Sequence, residues 1–156
     1  MKYLITGFLS LAVICFHSNG FAQKSVSKDT DHGGHDKPAL FYDLPDQLPL
    51  QPAVMQSLLN TTTGQKVQIT MSDKFTYEGV VSSVTAKYNN TIHSVFIRST
   101  NRPGAGFNLS QVTLPDGSVM YSGRIISFQS SDCFELKKID DQYYLVKRNF
   151  NDLVND

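Results

Sequence analysis

The 156-residue chain carries 14 basic and 14 acidic side chains, so its formal net charge is zero. That balance argues against nucleic acid as a partner, because no excess of Lys and Arg exists to release counterions from phosphate. Of the two cysteines, Cys15 falls in an N-terminal leader and Cys133 is left alone, so no internal disulfide staples the mature chain and packing must hold it together.

Residues 1–22 read as an export signal. Lys2 supplies a short positive region, Leu4 to Phe16 is apolar apart from Thr6, Gly7 and Ser10, and Gly20-Phe21-Ala22 has the small-x-small pattern cut by signal peptidase. Cleavage near Ala22/Gln23 predicts a secreted or periplasmic protein. Ile14 stands where a lipobox wants a small residue, which argues against a lipid anchor on Cys15. The apolar run is short of the roughly 20 residues that span a bilayer, and no later stretch is apolar enough to form a spanning helix.

Residues 23–51 differ in composition from the rest of the chain. Residues 23–37 are rich in Lys, Ser, Asp, His and Gly and read as a flexible tether. Pro38, Pro45, Pro49 and Pro52 then space short apolar pieces, a pattern that neither a helix nor a central strand accepts. Residues 38–51 read as an extended arm whose Leu40, Phe41, Tyr42, Leu44 and Leu48 lie either against the domain or against a partner, with Phe41, Tyr42 and Leu44 as candidate partner contacts. A chain lacking residues 23–51 is expected to keep its fold.

Residues 52–156 are expected to form a single β domain opened by one short helix. Pro52 suits a first helical position, and Val54, Met55, Leu58 and Leu59 share a face up to Asn60. From Lys66 the period becomes two. Strands are predicted at Lys66–Ser72, Phe75–Tyr88, Ile92–Ser99, Phe107–Leu114, Val119–Phe128, Cys133–Lys138 and Tyr143–Arg148, separated by the turns Ser72-Asp73-Lys74, Asn89-Asn90, Pro115-Asp116-Gly117 and Asp140-Asp141-Gln142. Gly79 suggests a bulge inside the second strand. About seven short strands on hairpin-length connections predict a mostly β fold, a small antiparallel barrel or sandwich.

Candidate chemistry is sparse. Asp31, His32, His35 and Asp36 form the one cluster of potential metal ligands, loosened by Gly33-Gly34. Alternation places Phe134 and Leu136 on the core face and Cys133 with Glu135 on the other, where a partly exposed thiol would be open to dimerisation, oxidation or metal coordination, but the usual burial of free cysteine favours an inert residue. Arg98, Arg102 and Arg124, near the loop 100–106, are candidate anion or glycan contacts. His93 sits on a face with Val95 and Ile97 and reads as a half-buried sheet histidine, and nothing in the sequence brings Glu78, Glu135 and Asp132 together. No serine elbow, zinc-protease helix or phosphate-cradling loop occurs, and no cofactor is indicated.

The strand order Gly79-Val80-Val81, Val95-Phe96-Ile97, Gly123-Arg124-Ile125, Phe134-Glu135-Leu136 and Tyr143-Tyr144-Leu145 resembles the β-rich propeptides of secreted zinc metallopeptidases over about residues 66–148. The chain stops where a catalytic domain would begin, so the resemblance implies a free-standing inhibitor or chaperone and carries over no catalytic residue. The leading expectation from the residues themselves is a non-catalytic domain that binds a protein or a surface glycan. Inhibition of a zinc peptidase is the alternative, and an enzyme comes third.

Overall fold

The computed structural model describes residues 37–153. They form β1 (Gln47–Pro49), α1 (Pro52–Leu59), β2 (Lys66–Ser72), β3 (Phe75–Lys87), β4 (Ile92–Ser99), β5 (Gly106–Thr113), β6 (Val119–Ile126), β7 (Asp132–Ile139), β8 (Gln142–Asn149) and a closing 3-10 turn, Phe150–Leu153. The strands make one antiparallel sheet in the order β1-β8-β7-β6-β5-β4-β3-β2. Its terminal strands, β1 and β2, come back into contact without pairing, so the sheet is a nearly closed barrel. Each strand expected from alternation is present to within two residues. The additional strand, β1, lies in the arm and pairs with β8 through Leu48↔Leu145.

Local chemistry explains the turns. Asp140 and Asp141 both adopt positive φ (46° and 64°), the conformation of a two-residue hairpin turn that matches the twist of its strands. Tyr88, Asn89 and Asn90 do the same at the β3–β4 tip, and Gly117 (φ 83°) closes the β5–β6 turn beneath the Asp116 carboxylate, which accepts from Ser118 N–H and Oγ. The irregularity in β3 falls between Val81 and Ser83, not at Gly79. Gly79 is there for closeness instead, since an added Cβ would stand 2.7 Å from Arg98 O on the neighbouring strand.

Alternation sends one half of each strand inward. Tyr77, Ile97, Phe107, Ile125, Phe134 and Leu145 are fully buried there, with Tyr77 meeting Phe107 edge-on at 6.0 Å. The Tyr77 hydroxyl donates to Ile97 O (3.1 Å), and burial pushes the phenol well above its ordinary pKa. Helix α1 turns Met55, Leu58 and Leu59 into this core and packs on β4 and β5. An isolated helix of two turns would not persist in water, so this docking is what holds it.

The proline-spaced arm is part of the barrel, which corrects the expectation that it is a separable contact element. Phe41, Leu44, Leu48 and Leu50 are buried, and Phe41 packs edge-on against Phe134 at 5.4 Å. Phe41 and Leu44 are therefore core residues and offer nothing to a partner, while Tyr42 between them is 79 % exposed. Polar groups clamp the arm at three points. The Asp132 carboxylate accepts from Leu40 N–H (2.7 Å), Phe41 N–H (2.9 Å) and Ser130 Oγ (2.5 Å). Arg102 donates to Leu40 O and to Asp43, with its guanidinium over the Phe75 ring. The Lys147 ammonium donates to Leu44 O and lies near Asp46. Sequence periodicity missed this because an arm bound by side-chain clamps to backbone groups needs no period of its own.

Candidate ligand trough on the outer face

The residues between the core positions point outward, and some of them build the site. On β4 these are Ser94, Phe96 and Arg98, on β5 Gly106, Asn108 and Ser110, on β6 Ser122, Arg124 and Ile126, and on β7 Cys133, Glu135 and Lys137. Register lines them up across strands. Ser94, Ser110 and Ser122 form one row, with Ser94 Oγ and Ser110 Oγ sharing a hydrogen bond of 2.8 Å. Phe96, Asn108, Arg124 and Glu135 form the next.

The surface is concave because β6 leaves β7. These strands pair only through Arg124↔Glu135 and Ile125↔Phe134, whereas β5 and β6 pair along their whole length. Gly123 permits the departure: a Cβ there would be 2.8 Å from Asn108 O, so β6 presses close on β5 as it turns away. Tyr143 stops the gap from inside, its ring edge-on to Tyr121 at 5.5 Å and its hydroxyl accepting weakly from Tyr121 N–H at 3.4 Å. The Tyr121 hydroxyl in turn bonds Gln56 on α1 (3.1 Å).

Outside, the gap is a concavity of about 460 Å³ lined by Asn108, Ser110, Ser122, Arg124, Glu135 and Leu136 among others. A second concavity of about 430 Å³, lined by Phe96, Arg98, Pro103, Gly104 and Phe128, shares Ile126 with it, so the two adjoin at that residue as the two ends of a trough. The Phe96 ring lies across Gly106, whose Cβ would stand 2.4 Å from it, so the absent side chain seats the ring. Phe128 is 74 % exposed and is steadied by an edge-on contact with Phe150 at 5.9 Å.

Glu135 anchors the polar end. It receives Arg124 Nη2 at 3.3 Å and Lys137 Nζ at 2.9 Å. Burial works to raise its carboxyl, but the hydrogen bonds and charges of Lys137 and Arg124 outweigh burial and hold it below the usual carboxylate range. Glu135 is thus an ionised acceptor beside two donors, a set suited to orienting hydroxyl groups.

Of the arginines singled out by sequence, Arg98 and Arg124 line the trough and Arg102 does not, because it is engaged in clamping the arm. Sequence reading missed Phe96, Asn108, Ser110, Ser122 and Phe128 as site residues. Their signal was the polar half of the alternation in β5 and β6, which presents amide and hydroxyl groups where long charged solubilising side chains are common. Glu78, Asp132 and Glu135 do not meet: Glu78 is on β3 bonded to Gln68, Asp132 faces the arm, and Glu135 faces the trough. His93 is half-buried. The candidate ligands Asp31, His32, His35 and Asp36 lie outside the described residues, among which no group of three or more His, Cys, Asp or Glu is placed to hold a metal ion. No helix among the described residues is long and apolar enough to cross a membrane.

Cys133 faces outward as alternation requires and has no exposed surface, in keeping with the usual burial of a free cysteine and not with a partly exposed reactive thiol. Its Sγ lies 3.6 Å from Arg148 O. Burial, reinforced by the Asp132 and Glu135 carboxylates and opposed by Arg124 and Arg148, pushes the thiol up to about 11, so it is protonated at neutral pH. An aromatic disulfide reagent should therefore label Cys133 at least about 100-fold more slowly in the native protein than in urea, because both thiolate fraction and access are lost. Equal rates in the two conditions would show that the strand opens freely.

Compared with family models, curated proteins and solved structures, the chain finds no match.

Proposed function

We propose that the protein is an exported, non-catalytic binding domain whose outer trough takes a hydroxyl-rich ligand, a surface glycan. The observation that carries this reading is the alignment of Ser110, Ser122 and Asn108 beside the Arg124–Glu135 pair in a concave gap. Neutral donors and acceptors at fixed register, flanked by charged groups that can accept or donate, match the directional hydrogen bonding of sugar hydroxyls. The rings of Phe96 and Phe128 supply the apolar surface that the C–H face of a sugar covers. Export is supported by the pattern of residues 1–22. A non-catalytic role is supported by the separate engagement of Glu78 by Gln68, Asp132 by the arm and Glu135 by Lys137, so these three make no pair for acid–base work. An inhibitor acting through a Cys133 thiolate is the poorer reading, since that thiol is buried and protonated.

The test is titration of the isotopically labelled protein with soluble oligosaccharides, neutral and acidic, monitored by NMR. Shifts should concentrate on Asn108, Ser110, Ser122 and Arg124. Ser122→Trp fills the trough from an exposed position and should weaken binding by at least about tenfold while leaving stability within about 0.5 kcal/mol. Shifts confined to the opposite side of the barrel, or undiminished binding by Ser122→Trp, would refute the site.

A further inference from the structure

The trough does not share the charge balance of the whole chain. The charged side chains that line it are Arg98 and Arg124 against the single carboxylate of Glu135. The acidic side chains of the described residues otherwise lie elsewhere: Asp43 and Asp46 on the arm, Asp73, Asp116, Asp140 and Asp141 in turns, Asp132 beneath the arm, Asp152 in the closing 3-10 turn and Glu78 on β3. Glu135 is itself taken up by Arg124 and Lys137.

Arg98 is exposed and forms no ion pair among the described residues. It lines the same concavity as the Phe96 and Phe128 rings. A guanidinium beside two aromatic surfaces, with no carboxylate of its own, is complementary to a ring that carries a carboxylate at its rim. The rest of the trough, past Ile126, offers Asn108, Ser110 and Ser122 to the hydroxyls of the next units.

We propose that the ligand is an acidic polysaccharide of the uronate type, with one carboxylate seated on Arg98 at the aromatic end and its hydroxyls running along the serine and asparagine rows. This rests on the reading of the trough as a glycan site. A carboxylate-bearing sugar satisfies both ends at once: its charge answers the unpaired Arg98, and its ring and hydroxyls answer the rings and the polar rows. A neutral sugar would leave Arg98 with no partner but water, so the difference between acidic and neutral chains of equal length isolates the proposal.

The experiment is calorimetric titration of the full mature chain with oligogalacturonate and with a neutral oligoglucan of the same length, using the wild type, Arg98→Gln and Ser122→Trp. Oligogalacturonate should bind at least about tenfold more tightly than the oligoglucan, and Arg98→Gln should erase that preference. Ser122→Trp should weaken both. Equal binding of the two sugars, or an Arg98→Gln variant that keeps its preference, overturns the acidic-sugar proposal and leaves the glycan reading standing. Absence of binding by either sugar overturns both. A single-stranded oligonucleotide that displaces oligogalacturonate and binds more tightly would identify a general polyanion surface and overturn the proposal as well.

Discussion

A chain that begins at Pro52 is expected not to fold. Residues 37–51 place Phe41, Leu44, Leu48 and Leu50 in the core and add β1 to the edge of β8. Each of those side chains contributes about 1.5–3 kcal/mol by burial, so their loss removes roughly 6–12 kcal/mol. The total stability of a domain is about 5–15 kcal/mol, and the truncation consumes most or all of it. The loss also bares Phe134 and leaves the Asp132 carboxylate without the two amides it binds. Amide proton dispersion and a urea melt should therefore be native-like for residues 37–156 and collapsed for residues 52–156. A cooperative transition at the same urea midpoint in both chains would show the arm to be dispensable.

Asp132→Ala is expected to be the most damaging polar substitution. The carboxylate takes two backbone N–H groups and the Ser130 hydroxyl at one buried point; Ser130 Oγ also accepts from Leu40 N–H at 3.0 Å, so it is the Phe41 N–H that loses its acceptor. Hydrogen bonds to a charged group contribute about 1.5–3 kcal/mol each, and a buried donor left unsatisfied costs about 1–3 kcal/mol, so a loss of roughly 3–5 kcal/mol is expected. For a domain of this size that corresponds to a fall in Tm of roughly 10–20 °C. Asp132→Asn keeps one acceptor oxygen and should lose less. Asp46→Ala, which removes an exposed partner 3.7 Å from Lys147, is the control and should cost about 1 kcal/mol or less. If Asp132→Ala and Asp46→Ala melt together, the Asp132 clamp does not hold the arm.

Legibility differed by element. The hairpin turns announced themselves through Asp140-Asp141, Asn89-Asn90 and Pro115-Asp116-Gly117, because positive φ selects residue types that are visible one position at a time. The strands were visible for the same local reason, and even the outward orientation of Cys133 could be read from its neighbours. Its burial could be expected only from the general habit of free cysteine, since the cover itself depends on what the next strands bring over it. Arg102 shows the limit most clearly. By sequence it stands in the same loop region as Arg98, yet one clamps a segment some sixty residues away and the other is exposed in the trough.

By itself the sequence determined the period-two strands, the turn positions, the one short helix and therefore a mostly β antiparallel fold, because each of these is an interaction between residues close along the chain. Tertiary structure alone decided that the arm closes the barrel, since burial of an aperiodic segment depends on the space the sheet leaves and on Asp132, Arg102 and Lys147 meeting its backbone. It alone decided the trough as well. That concavity exists because Gly123 lets β6 lean on β5 and away from β7, a relation among three strands that no single stretch of residues encodes.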